Sequence, residues 1–347
     1  MRLLKILILK PSSLGDVIHA LPVLRMLKRH LPASEIYWWI DSNLAPLLEG
    51  DPDLAGLILF HRKHWQSPRH WLGLGKSVRW VREQAFDYAV DLQGLARSGL
   101  FAWLAKVDVT IGLAGAREGS SAAYDLIAPA PLRSRHAVDR YLEVLRPLNV
   151  PVRWDFAWLP ERSEVAAGIQ KRFPVSGSKW IILQPGARWA NKRWPVEHFA
   201  TLAKQLLAAY PDRRVAILGG DDETGFGKTI AQADSVRCLD LTGKLSLPEM
   251  VEWIRLSELM VTNDTGPMHV AAALGKPVIP IFGPTDPLRT GPYRQLGNVL
   301  QLKNLPCVPC LSPQCAYIKP LECLRALSPE VAFEAVRARL ASNQEQA

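Results

Sequence analysis

The sequence has no apolar run near the roughly 18 residues that a bilayer-crossing helix needs. The short apolar start, residues 1–9, is followed by no small-residue cleavage site, so the reading is a cytoplasmic protein without a secretory signal. No Gly-x-Gly-x-x-Gly follows a strand-like segment, which argues against a dinucleotide dehydrogenase. A Gly-x-x-x-x-Gly-Lys-Ser/Thr loop, a helix-turn-helix, an RRM and a zinc-finger signature are all missing too, which argues against the common nucleoside-triphosphate and nucleic-acid modules. Short internal repeats and low-complexity tracts are absent. Cysteine is scarce: there are five, four of them between Cys307 and Cys323, which is no secreted disulfide framework for 347 residues.

What remains is an ordinary globular composition, 48% apolar and 22% charged. A chain of this length exceeds one hydrophobic core, so two domains are expected. Basic residues outnumber acidic ones 42 to 33, a net charge of +9. That favours an anionic partner: a phosphorylated substrate, a nucleic acid or the inner-leaflet surface.

Strand-like and helix-like segments alternate along the chain. Residues 3–9 read as a strand buried on both faces, and Val17, Leu21, Leu24 and Leu31 follow at helical spacing. Pro22 is read as lying near that helix's start, where it costs little. Further strands are expected at 36–40, 57–60, 88–92 and 109–111. A Pro-containing stretch over 147–160 separates the halves, giving domains 1–155 and 156–347. In the second half strands are expected at 180–183, 214–218, 236–239, 259–262 and 278–282. Helices are expected at 196–210, 222–233, 248–255, 267–274 and 329–340. The pattern predicts an α/β chain of two Rossmann-like domains facing each other across a cleft, with ligands beyond the carboxyl ends of the strands.

Three strand-to-helix turns carry the chemistry. Lys10-Pro-Ser-Ser-Leu-Gly-Asp16 places a carboxylate at a helix start, as either a functional group or a cap. Gln184-Pro-Gly-Ala-Arg-Trp-Ala-Asn-Lys192-Arg193-Trp194-Pro195 sets two adjacent cations before a helix, suited to a diphosphate or simply a solvated basic loop. Val261-Thr262-Asn263-Asp264-Thr265-Gly266-Pro267-Met268-His269 leads into a small-residue helix whose N-terminal amides and Thr265 hydroxyl suit an anion. Asp264 would repel a phosphate, so a cap or a sugar-hydroxyl contact suits it better.

These segments, in this order and spacing, resemble the glycosyltransferase family 9 heptosyltransferases. So do Asp91-Leu-Gln-Gly-Leu-Ala-Arg-Ser98, Ala116-Arg-Glu-Gly-Ser-Ser-Ala-Ala-Tyr124, His136-Ala-Val-Asp-Arg140 and Phe282-Gly-Pro-Thr-Asp-Pro287. The Ala116–Tyr124 and Phe282–Pro287 segments look more like heptosyltransferase I than II, whereas Gln184-Pro-Gly-Ala-Arg188 departs from the type I loop. The resemblance implies a GT-B fold, with acceptor on the N-terminal domain and ADP-heptose on the C-terminal one. It implies inverting, metal-independent transfer of heptose to the Kdo-lipid A core of lipopolysaccharide, with no cofactor. Asp16 is then the general base and Lys192 the neutraliser of the leaving phosphates. Donor contacts fall to Arg188, Lys192, Asp222, Glu223, Asp264, Thr265, Gly266 and His269. Acceptor contacts fall to Ser13, Gly15, His19, Arg62, Lys63, Gln93, Arg97 and Arg117.

Two features stand apart. Cys307-x2-Cys310-x4-Cys315-x7-Cys323 opens like a metal-ligand pair but continues with uneven spacing, so reduced structural cysteines, a structural metal and a disulfide or redox role all remain open. His61-Arg-Lys-His-Trp65, Arg69-His-Trp71 and the stretch 76–82 interleave cations with indoles. That suits peripheral docking on an anionic inner membrane, or an exposed helix and loop whose tryptophans pack on the core. The alternatives kept beside heptose transfer are a family member with another sugar nucleotide or envelope acceptor, and a basic nucleic-acid- or nucleotide-binding protein.

Overall fold

The computed structural model describes residues 3–61, 71–132, 135–173, 175 and 177–344. The chain divides into two compact units, Met1–Pro160 and Glu161–Ala347. The first holds strands β1 (Lys5–Leu9), β2 (Glu35–Asp41), β3 (Gly56–Phe60), β4 (Tyr88–Asp91), β5 (Val109–Leu113) and β6 (Leu126–Ala128). They form one sheet in the order β3-β2-β1-β4-β5-β6, parallel throughout. The second holds β7 (Lys179–Gln184), β8 (Arg213–Ile217), β9 (Cys238–Asp240), β10 (Leu259–Asn263), β11 (Val278–Phe282) and β12 (Leu300–Gln301). Its parallel order, β12-β11-β10-β7-β8-β9, repeats the same winding. Each unit is therefore a Rossmann-like α/β domain. Its chain starts mid-sheet, runs to one edge, and returns to the other side of its first strand.

Central strands are sealed on both faces. Ile6 to Leu9 and Leu259 to Val261 expose nothing, as expected where helices cover a parallel sheet from both sides. The first helix, Leu14–His30, is also buried nearly all round from Gly15 to Leu27. It packs against the helix Ala137–Leu142 and is buried on nearly every face, which is why its apolar residues occupy most of its surface. In the second unit the terminal helix Pro329–Gln344 packs on Val196–Ala209, and Val336 and Leu340 join that domain's main core.

Several details differ from the sequence reading. Pro22 sits in the helix interior, not near its start. It cannot donate to the carbonyl four residues back, and burial of the surrounding turns outweighs that lost bond. The first strand begins at Lys5, and the strand expected at 236–239 is the short β9 at Cys238–Asp240. The strands β6 and β12 span only three and two residues, too few for periodicity to register in the sequence.

One buried ion cluster holds the end of the first unit. Arg25 donates to both carboxylate oxygens of Asp51 at 2.6 Å, to Asp53 at 2.7 Å and to the Trp158 carbonyl at 2.9 Å. Nearby, Arg29 grips Asp155 through two bonds. Asp155 and Trp158 of the Pro-containing stretch over 147–160 are thus tied to the first helix. Arg25→Ala is expected to cost about 3–5 kcal/mol, because it strands the buried Asp51 carboxylate without its partner. Urea denaturation checks this, and a change under about 1 kcal/mol would show the cluster to be dispensable.

Candidate active site

In each domain the main candidate turns follow the two central strands, β1 and β4 or β7 and β10. There successive connections leave on opposite sides of the sheet and a crevice opens beyond the carboxyl ends.

In the first domain Asp16 lies in the opening turn of its helix. Its Oδ2 accepts from the Ser13 N–H at 3.0 Å and the Ser13 hydroxyl at 2.8 Å. Its Oδ1 accepts from the Tyr141 hydroxyl at 3.2 Å and stands 4.0 Å from the Lys10 ammonium. Asp16 therefore does cap its helix, and the same bonds fix the carboxylate while its side chain stays 39% exposed. Lys10, directly after β1, is buried. It donates to the Leu92 carbonyl at 3.1 Å and lies 4.9 Å from the Tyr141 ring centre. Burial lowers its pKa, opposed by Asp16 and then Asp91. Burial likewise raises the Tyr141 hydroxyl's pKa well above its usual value, with the Asp16 charge adding to it, so it stays a proton donor to that carboxylate.

After β4, Asp91 is fully buried. It accepts from the amides of Gln93 and Gly94 and from the hydroxyls of Ser98 and Tyr124. Burial pushes its pKa up, and these bonds pull against that shift. Gly112 on β5 is needed here, because a side chain at that position would occupy the space of the Tyr124 ring. This network shapes the 93–98 turn, where Gln93 Oε1 and Arg97 Nε are buried without a hydrogen-bond partner. Arg117 is exposed, and its backbone N–H bonds the Gly94 carbonyl. His19 is buried, edge-on to His136 at 5.1 Å. Ser13 is exposed and Gly15 buried. Arg62 and Lys63 lie outside the described residues, as does most of the basic, indole-bearing stretch before residue 71.

In the second domain Lys192 and Asp264, separated by 72 positions, form a 2.6 Å ion pair. Thr285 donates to the same Asp264 oxygen at 2.6 Å. Lys192 also lies 5.0 Å from the Trp189 ring centre. Asn263 ties the turns together, accepting from the Trp194 N–H at 3.0 Å and donating to the Pro185 carbonyl at 2.6 Å. Arg193, paired with Lys192 in the sequence reading, instead donates to the Ala187 carbonyl and lies over the Phe226 ring. Arg188 and Asp222 are exposed. Glu223 turns inward, bonding the Gly220 N–H at 3.0 Å and contacting Gly186, where no side chain would fit. Burial raises its pKa, partly offset by the Gly220 bond. Thr265 precedes the helix Gly266–Ala273, and His269 is buried on it.

Of the sequence-expected residues, Ser13, Gly15, Asp16, Gln93, Arg97, Arg188, Lys192, Asp264, Thr265 and Gly266 lie in turns or helix starts after the central strands, whereas Arg117 follows β5 and Asp222 and Glu223 follow β8. Lys10, Tyr141, Asn263 and Thr285 were not singled out as site residues. Lys10 had a visible signal, a cation directly after an apolar strand, and Asn263 one of its own as a polar residue closing a strand. Thr285 lies in the Phe282–Pro287 segment but nothing there marks it as a partner of Asp264, and Tyr141 had no signal, since only the fold brings the two near Asp264 and Asp16.

Two domains of this winding, each with a polar switch point, match the GT-B glycosyltransferases in architecture. The chain belongs to glycosyltransferase family 9 (heptosyltransferase), whose family model matches residues 74–320, and is a glycosyltransferase. It is 28% identical over 329 residues to lipopolysaccharide heptosyltransferase 1 of Pseudomonas aeruginosa, covering 90% of this chain and 88% of that protein. It is also 28% identical to lipooligosaccharide heptosyltransferase 2 of Haemophilus influenzae, over 86% of this chain and 89% of that one. Relatives of both types therefore match at equal identity. Among solved structures, the Escherichia coli ADP-heptose lipopolysaccharide heptosyltransferase II superposes with a TM-score of 0.78 at 25% identity, covering 99% of this chain and 100% of that one.

Asn263→Ala would leave two buried backbone groups, the Trp194 N–H and the Pro185 carbonyl, without partners. The expected loss is about 2 kcal/mol or more in denaturant unfolding. A loss below about 0.5 kcal/mol would mean the turns are held by other contacts.

Proposed function

We propose that the enzyme transfers heptose from ADP-heptose to the Kdo-lipid A inner core during lipopolysaccharide biosynthesis, with the acceptor on the first domain and the donor on the second. The observation that carries this reading is the pairing of chemistries at the two switch points. One domain presents a fixed, half-exposed carboxylate. The other presents a lysine beside a helix N-terminus. The heptose donor and lipopolysaccharide acceptor rest on the relatives, which are named for that reaction.

In the proposed reaction the acceptor hydroxyl oxygen bonds to the anomeric carbon as the bond from that carbon to the ADP phosphate oxygen breaks. Asp16 takes the hydroxyl proton. Ser13 and Tyr141 hold its carboxylate oxygens in place, so little reorganisation is required. The electron pair leaves with ADP, whose growing charge meets Lys192 and the amides opening Gly266–Ala273. A lysine ammonium has three donors. One serves Asp264, and two can serve the phosphates. A single displacement inverts the anomeric configuration. Positive charge for the leaving group comes from the protein, so the step is proposed to need no metal at the reaction centre and no cofactor.

The remaining assignments follow from position. Arg188, Asp222, Glu223, Asp264, Thr265, Gly266 and His269 would line the donor, with Glu223 suited to a ribose hydroxyl. Ser13, Gly15, His19, Gln93, Arg97 and Arg117 would line the acceptor, joined by Arg62 and Lys63. The anionic Kdo acceptor suits a region where Lys10, Arg117 and Arg140 lie close enough for the two arginines to lower the lysine's pKa. The unpartnered Gln93 Oε1 and Arg97 Nε are groups an acceptor could satisfy.

The test is incubation with ADP-heptose and Kdo2-lipid A, following ADP release and acceptor mass. A heptose-sized gain is expected without added Mg²⁺, and no gain with ADP still bound would redirect the search to other acceptors. ADP-heptose should raise thermal stability where UDP- and GDP-sugars do not; the reverse would assign another donor. Asp16→Ala is expected to abolish transfer, a loss of about 10²–10⁴-fold, while donor binding stays near normal. Lys192→Ala should weaken donor binding and slow turnover together. Unchanged turnover in either variant removes that residue from its role.

Peripheral contact with the anionic inner membrane belongs to the same proposal. No helix among the described residues is long and apolar enough to cross a membrane. The helix Trp71–Gln84 exposes Lys76, Arg79, Trp80 and Arg82, and packs beside Ala96–Ala105, which exposes Leu100 and Trp103. Cations beside exposed indoles suit an anionic headgroup layer. Co-sedimentation with phosphatidylglycerol vesicles, falling with salt and absent for phosphatidylcholine, is the expected result. Equal recovery with both lipids would discard the electrostatic reading, and a salt-sensitive shift of DNA would favour a nucleic-acid partner.

A further inference from the structure

The cysteine-rich segment takes no part in the chemistry above, yet the fold gathers its four thiols. Cys307, Cys310, Cys315 and Cys323 all line one cavity of about 20 Å³ in the second domain, a space sized for a single water or ion. All four are free thiols. The backbone around the cluster carries local strain. Leu311, directly after Cys310, and Leu321, two residues before Cys323, both adopt left-handed conformations, with φ of 55° and 60°. Leucine gains nothing locally from that region. Such positions persist where surrounding structure over-determines them, and they cluster at functional sites. The Leu321 N–H also points at sulfur, donating to Cys315 Sγ at 3.3 Å. An amide donor of this kind stabilises a sulfur that carries negative charge more than it does a neutral thiol.

We propose that these four cysteines bind one thiophilic transition-metal ion as a structural tetrathiolate site. The ligand set suits zinc or iron. Among the described residues no three metal-ligating side chains already stand at metal-binding geometry, so the 307–323 loop closes around the ion as it binds. Binding exchanges S–H bonds for S–metal bonds and releases up to four protons to solvent, one per thiol.

The position of the site gives it a purpose. Asn191, next to Lys192, lines the same cavity and donates to the Ser312 carbonyl at 2.7 Å. Its Oδ1 is buried without a partner. The Leu311 N–H bonds the Pro284 carbonyl at 2.7 Å, one residue before Thr285. Cys323 packs so close to Gly283 that an added Cβ there would meet its Sγ at 3.3 Å. The loop thus grips the turn that carries Lys192 and the turn that carries Thr285, the two partners of Asp264. A metal at its centre would brace both, as an added cross-link.

The test is elemental analysis of the full-length protein purified without chelator. About one zinc or iron per chain is expected, the element itself saying which ion the cell supplies. Cys310→Ser and Cys315→Ser alter exposed thiols. Each should lower metal content roughly tenfold or more while circular dichroism stays that of the parent. Cobalt(II) added to reduced, metal-stripped protein should give the near-ultraviolet thiolate charge-transfer band and the visible bands of a tetrahedral site. Stripping should also lower the melting temperature. Metal content below about one-tenth per chain, with no cobalt band from fully reduced protein, overturns the proposal. So does a non-reduced intact mass that shows disulfides among the four. These readouts are independent of which sugar is transferred, so they stand or fall separately from the proposed function.

Discussion

A parallel sheet whose chain starts at its centre has to send successive connections away in opposite directions, and the gap this leaves lies beyond two central strands. That constraint places many of the candidate groups discussed above. β1 delivers Lys10 and Asp16 while β4 delivers Asp91, Gln93 and Arg97. In the second domain β7 delivers Arg188 and Lys192 while β10 delivers Asn263, Asp264 and Thr265. The strands are sealed on both faces, so their ends are the places where polar groups can emerge without disturbing the core.

The two gaps solve different electrostatic problems. Around Asp16 the fold keeps a carboxylate accessible but orientationally fixed, using a serine at the helix start, a buried tyrosine and a buried lysine. Around Asp264 it does the opposite. The carboxylate is buried, one of its oxygens accepts from both Lys192 and Thr285, and the lysine is left with donors to offer. A buried ion pair adds little net stability. Its value here is positional, since it fixes a long, flexible side chain at one point beside a helix N-terminus.

The loops that frame the second gap depend on one another. Asn263 links the end of β10 to both the start and the end of the turn that follows β7. Asn191 carries that turn to the cysteine segment, and the Leu311 N–H carries the segment back to the turn after β11. Hydrogen bonds that link successive turns in this way hold backbone that has little apolar surface to pack.

Much of this was legible in the chain itself. Alternating apolar runs and helical spacings foretold two doubly wound domains, because a strand buried on both faces has to be apolar throughout. The three strand-to-helix turns stood out because polar and glycine residues cluster where a buried strand ends. Asp16, Lys192 and the 264–266 turn stood out as candidates from those local patterns, with their roles drawn from the family resemblance. Their partners did not. Tyr141 reaches Asp16 across 125 positions, Asp264 meets Lys192 across 72, and Thr285 joins them from a third turn. Such pairings are set by strand order, since β10 lies beside β7 and β11 beside β10, and a linear pattern carries no record of which strands will be neighbours. Pro22 was misplaced for a related reason. Local propensity resists proline in a helix interior, and only packing on nearly every side of that helix could override it.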